Sequence, residues 1–172
     1  MPKEAFKVGV VAQSRPPVTQ WGGRVMRPLA VFAHMPSTPP GTKVSDEGGV
    51  ETWYLGASDV ILHSGDTGYY RDNLASGRAS VWVAMPEASE GARARIQLVT
   101  VDPYEGEGIA SDTGLVVEAV PMPDAVRARI EAFIAAHHVD IPFKKRTRKP
   151  VDVVSDPRAP RILGSQDKWE KR

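Results

Sequence analysis

The chain has 172 residues, no cysteine and a formal charge of only +1. One domain with an ordinary core is expected at this length. Without cysteine there is no disulfide, thiolate nucleophile, iron–sulfur ligation or cysteine-based zinc site, which fits a reducing compartment. The near-neutral total hides a division. Residues 1–140 carry 12 Lys/Arg against 17 Asp/Glu, a net −5, whereas residues 141–172 carry 10 against 4, a net +6. An acidic body with a basic arm points to a partner surface.

The N-terminus, Met1 to Lys7, has an early acid and no long apolar run, unlike a secretory signal. No stretch reaches the roughly 20 apolar residues that span a bilayer. The expectation is a soluble cytoplasmic protein with no membrane contact. Phe6 to Ala12 (FKVGVVA) has strand length and is rich in Val, and Arg15-Pro16-Pro17 ends it. Arg24 to His34 is a second strand. Pro28 inside it demands an edge position, a bulge or a split. Met35 to Gly49, punctuated by Pro and Gly, reads as loop. Val50–Leu55 and Ser58–His63 flank Gly56-Ala57, a hairpin or a bulged bend.

Ser64 to Gly68 is a turn, and Tyr69 to Ala75 is either extended or one helical turn. Ser80–Met85 and Arg95–Val101 are the clearest strands and should pair antiparallel. Asp102-Pro103 opens a weak helix interrupted by Gly106 and Gly108, and Leu115–Val120 is a last strand. A helix over about 123–138 follows. Pro123 and Asp124 open it, and Val126, Ile130, Phe133, Ile134 and His137 recur at the helical period. The fold class is therefore mainly β (α+β): a small antiparallel barrel or sandwich of six to seven strands over 5–140, closed by that helix. Residues 141–172 are expected to be an extended or flexible Pro-rich basic tail.

Several chemistries can be weighed. His137, His138 and Asp140 could ligate a metal. Helix neighbours point about 100° apart, however, so the plainer assignment puts His137 on the buried face and His138 at the helix C-terminus. Asp102, Glu105, Glu107 and Asp112 could divide acid and base roles in an enzyme, although a solvated acidic loop is far the commoner explanation. Gly22-Gly23-Arg24 lacks a following Lys-Ser/Thr and precedes a strand, so it makes a poor phosphate loop. Trp53, Tyr54, Tyr69, Tyr70 and Trp82 could form a base-stacking face on a barrel that binds single-stranded nucleic acid. The acidic body opposes that. The sharpest feature is the run Lys144, Lys145, Arg146, Arg148 and Lys149, followed by Trp169. A basic segment with one aromatic anchor is a familiar way of holding a protein partner. No cofactor and no metal are expected.

Val8-Gly9-Val10-Val11, Trp21 leading to Arg27-Pro28, Tyr69-Tyr70 with Asn73-Leu74, Ser80–Val83, Leu98–Val101, Val120–Pro123, and His137-His138 with Pro142–Arg146 occur in this order. Together they resemble an uncharacterised family of bacterial proteins. Its genes often lie beside those for molybdenum-dependent formate dehydrogenase and its maturation factors. Members are sometimes labelled molybdopterin–guanine dinucleotide biosynthesis proteins. The resemblance implies a cytoplasmic accessory of formate oxidation, with a dehydrogenase subunit or maturation factor as partner. It supplies no catalytic residues. The label itself would need a βα alternation that these strands do not provide. The expectation is a non-enzymatic adaptor or assembly factor. A nucleic-acid-binding barrel and an enzyme with its site at 102–112 are the alternatives.

Overall fold

The computed structural model describes residues 1–17 and 19–140. Met1–Val139 form one compact unit, described below. This unit is mainly β and holds two antiparallel sheets. Its elements are β1 (Lys3–Arg15), β2 (Val25–Phe32), β3 (Thr42–Glu47), β4 (Val50–His63), α1 (Thr67–Ala75), β5 (Ser80–Pro86), β6 (Leu98–Thr100), α2 (Pro103–Ile109), β7 (Leu115–Pro121) and α3 (Asp124–His137). Short 3-10 turns lie at Ser64–Asp66 and Gly91–Arg93. One sheet has the order β2-β1-β4-β3 and the other β6-β5-β7. No closed barrel forms.

Alternation in β1 sends Phe6, Val8, Val10 and Ala12 inward, where they join Val81, Val83 and Met85 of β5 in one core. Leu62 and Val60 of β4, Met26 of β2 and Val99 of β6 complete it. Helix α3 contributes Val126, Ile130 and Phe133 from one face, at the spacing its sequence period dictates. Arg129 on its flank bonds Glu4 at 2.6 Å, and its guanidinium lies 4.7 Å from the centre of the Phe6 ring. The two sheets come close at two seams: edge strand β2 lies beside edge strand β7, and β4 beside edge strand β6. Arg27 of β2 spans the first seam to Glu118 of β7 at 2.6 Å. The second seam is not laddered, and a cleft opens there.

Two sequence expectations are corrected and a third is resolved. Of the hairpin and the bulged bend left open for residues 50–63, the bulged bend forms, within one strand. Gly56 takes φ +111° beside a register shift between Val10 and Val11, so the chain bulges and runs on against β1. The loop expected over Met35–Gly49 contains β3. It escaped notice because its only large apolar residue, Val44, is 52% exposed and the rest is polar or charged. Lys43, Asp46 and Glu47, with a register shift between Lys43 and Ser45, are what an unprotected sheet edge needs to discourage further pairing. Finally, β6 is only three residues long: Arg95 and Ile96 precede the ladder, and Gln97 reaches β5 only through its N–H, which donates to Ala84 O at 2.8 Å. Pro28 does lie on an edge strand, with a register shift nearby between Val11 and Ala12.

Two glycines are dictated by aromatic rings. A Cβ on Gly9 would stand 2.3 Å from the Phe32 ring, and one on Gly106 would stand 2.2 Å from the Trp82 indole. Gly106 weakens α2 as an isolated helix, yet it is what allows α2 to lie flat on β5.

Candidate functional site

The partner-binding residues read from the sequence, Lys144, Lys145, Arg146, Arg148, Lys149 and Trp169, lie outside the described residues. The body offers three other features.

The first is the tip between β1 and β2. From Pro16 to Gly23 this segment has no charged residue, and its one large side chain, Trp21, is 89% exposed. The turn closes through Gly22 N–H donating to Thr19 O at 3.1 Å. Arg24 then anchors the return: its guanidinium donates to Ser14 O, to Gly49 O at 2.7 Å and to Ser14 Oγ. Val25 and Leu29 of β2 are also more than two-fifths exposed. A lone exposed leucine needs no explanation, but an indole held out on a pinned turn is the side chain most enriched at protein contacts. Sequence reasoning missed it. A single Trp between Pro and Gly has no periodicity to say which way it points.

The second is the cleft at the β4–β6 seam, of about 380 Å³. Asp59, Ile61 and His63 come from β4, Tyr70 from α1, Leu98 and Thr100 from β6, and Asp66, Asp102 and Glu105 from the turns and α2. Asp102 is committed to structure. Its carboxylate caps α2, accepting from Tyr104 N–H at 2.8 Å and Glu105 N–H at 3.4 Å. Asp59 pairs with Lys7 at 3.0 Å. Tyr70 is 2% exposed, and its hydroxyl accepts from His63 N–H at 3.0 Å. Burial, with the nearby charges of Asp66, Asp102 and Glu105 adding to it, pushes this phenol up from 10.0 to about 12; the His63 N–H bond works against them.

The sign of that shift gives a prediction. In the unfolded chain the phenol ionises near its ordinary value, so above it the unfolded state sheds a proton that the folded state keeps. Stability fully present below pH 10 is therefore lost as pH rises from 10 toward about 12. Thermal melts across that window should show Tyr70→Phe losing less stability with rising pH than the parent. Parallel curves would contradict this.

The four acids weighed as an acid–base set are not brought to one place. Asp102 and Glu105 line the seam cleft, Glu107 faces another hollow, and Asp112 accepts from Gly114 N–H at 2.9 Å in a turn. The five aromatics are likewise dispersed. Tyr54 and Tyr70 are buried, Trp53 donates to Glu51 at 3.2 Å, Trp82 lies under α2, and Tyr69 packs at a tilt against Tyr104 with ring centres 4.6 Å apart. His137 packs its ring against Phe133, and His138 Nδ1 lies 3.0 Å from Thr67 Oγ1. Among the described residues no three His, Asp or Glu side chains converge as a metal ion would need. Nor is any helix among them long and apolar enough to cross a membrane.

The third feature is the hollow between α1 and α2, floored by Trp82.

The fold and these features define a two-sheet β protein whose surface carries an aromatic contact point and charged clefts. Residues 7–147 match a family described as a protein of unknown function (DUF3305), and the chain belongs to that family. No curated protein and no solved structure matches the chain.

Proposed function

We propose that this protein is a non-enzymatic, cytoplasmic adaptor or assembly factor. Trp21 and the basic run Lys144–Lys149 hold it to a protein partner, with Trp169 as a further anchor. The observation that carries the reading is the exposure of Trp21 on a turn that Arg24 pins from both sides. Covering an indole removes on the order of 200 Å² from water, worth roughly 5 kcal/mol before association costs. The division of charge supports the same reading, since an acidic body and a net +6 segment suit a partner with an acidic or mixed groove. The resemblance in gene neighbourhood supplies the candidate partners: a subunit or maturation factor of molybdenum-dependent formate dehydrogenase.

The test is genetic. A host strain lacking this chain should lose formate oxidation and regain it with the wild-type gene. Trp21→Ala should restore it only in part, because a hot-spot truncation of about 2 kcal/mol weakens binding roughly 30-fold. Undiminished formate oxidation in the deletion strain would remove the proposed link to that enzyme.

A further inference from the structure

The hollow between α1 and α2 encloses about 330 Å³, at the low end of the roughly 300–1,000 Å³ typical of small-molecule sites. Its apolar surface is aromatic: the partly buried Trp82 indole and the Tyr104 ring, with Pro103 beside them. Its neutral polar groups are already spent inside the fold. Asn73 donates to Ser80 O and Val101 O and accepts from Ser80 N–H, Ser76 Oγ donates to Asn73 O, and Ser80 Oγ donates to Arg78 O. The charged groups are not spent. Asp72, Arg78 and Glu107 all line the hollow, and among the described residues none of their side chains takes part in a hydrogen bond or an ion pair. Of the body's other lining charges, Asp59, Asp102, Arg27 and Glu118 are each committed to a protein partner.

An aromatic floor flanked by one uncommitted cation and two uncommitted carboxylates is complementary to a ligand of mixed charge. We propose that this hollow binds a small zwitterion of the α-amino-acid type with an aromatic side chain. The ligand ring would lie against Tyr104 and the part of the Trp82 indole that α2 leaves open, its carboxylate would meet Arg78, and its ammonium group would meet Asp72 and Glu107. Arg suits the carboxylate because its planar fork pairs with two oxygens. The face of an indole or phenol also favours a nearby ammonium. A purely cationic ligand would leave Arg78 opposed, and a purely anionic one would oppose both acids. The floor is rigid, because Gly106 seats α2 directly on the Trp82 ring. The site is independent of the adaptor reading and would give that adaptor a small-molecule input.

L-phenylalanine is the probe, titrated into the full chain while the Trp82 indole N–H resonance is followed by NMR and assigned with Trp82→Phe. The expected result is a saturable shift in the millimolar range. Phenethylamine and 3-phenylpropionate, each lacking one charge, should bind at least about ten-fold more weakly. Arg78→Gln should abolish the preference for L-phenylalanine over phenethylamine, and Glu107→Gln the preference over 3-phenylpropionate. Both positions are exposed, so the fold should survive, and unchanged melting temperatures would verify it. No saturable shift, or equal binding of all three compounds, would overturn the proposal. So would an Arg78→Gln variant that keeps its discrimination.

Discussion

Replacing Asn73 by alanine is expected to cost about 3–5 kcal/mol, a large fraction of the roughly 5–15 kcal/mol that stabilises a domain. The side chain is 4% exposed and joins three pieces of chain. Its Nδ2 donates to Ser80 O and to Val101 O, both at 2.8 Å, and its Oδ1 accepts from Ser80 N–H at 3.0 Å. It thereby ties α1 to the start of β5 and to the residue following β6. Alanine would leave the buried Val101 O and the part-buried Ser80 O and N–H without these partners, at up to roughly 1–3 kcal/mol each before relaxation. Urea unfolding should show the midpoint falling with little change in slope. A loss below about 1 kcal/mol would mean that these groups find other partners.

Ile130→Ala should have the next largest effect, about 2–5 kcal/mol. Ile130 is fully buried on α3, in the same core as β1 and β5, and a three-carbon void there cannot be closed without moving the helix. Ile130→Val removes one methyl group and should cost only about 0.5–1.5 kcal/mol. Ile134, one turn on and only partly buried, should tolerate alanine better. If Ile134→Ala proved the more damaging of the two alanine variants, the inward face assigned to α3 would be wrong.

How far the sequence reveals this structure depends on how each element earns its place. β1, β5 and β7 are written in runs of β-branched residues, and α3 in a helical apolar period, because burial on a sheet or helix face selects those residues directly. α1 is ambiguous for a physical reason. Its buried face is Thr67, Tyr70 and Asn73, so hydrogen bonds hold much of it and no apolar stripe announces it. β4 reads as two pieces because Gly56 resembles a turn, yet here it makes a bulge. β3 is nearly invisible because an exposed edge strand has little to bury. In α2 the glycine that argues against a helix is the residue the Trp82 ring requires.

The site is legible only as charge. The basic run stands out at once, but a run of Lys and Arg says nothing of its geometry. Trp21, the hollow over Trp82 and the seam cleft arise where a turn is pinned or where loops from distant parts of the chain converge. No local pattern encodes that convergence. Gly106 and Trp82 meet across 24 positions of sequence, and Arg27 and Glu118 across 91.

The claim on which the rest turns is that this molecule acts by being held. It is tested most directly by affinity capture of the tagged full chain from its native host at low salt, with bound proteins identified by mass spectrometry. The account predicts one predominant protein partner, lost at high salt through screening and markedly depleted by Trp21→Ala or by neutralising Lys144, Lys145, Arg146, Arg148 and Lys149. Capture of nucleic acid alone, or of the same proteins by wild type and both variants alike, would contradict it.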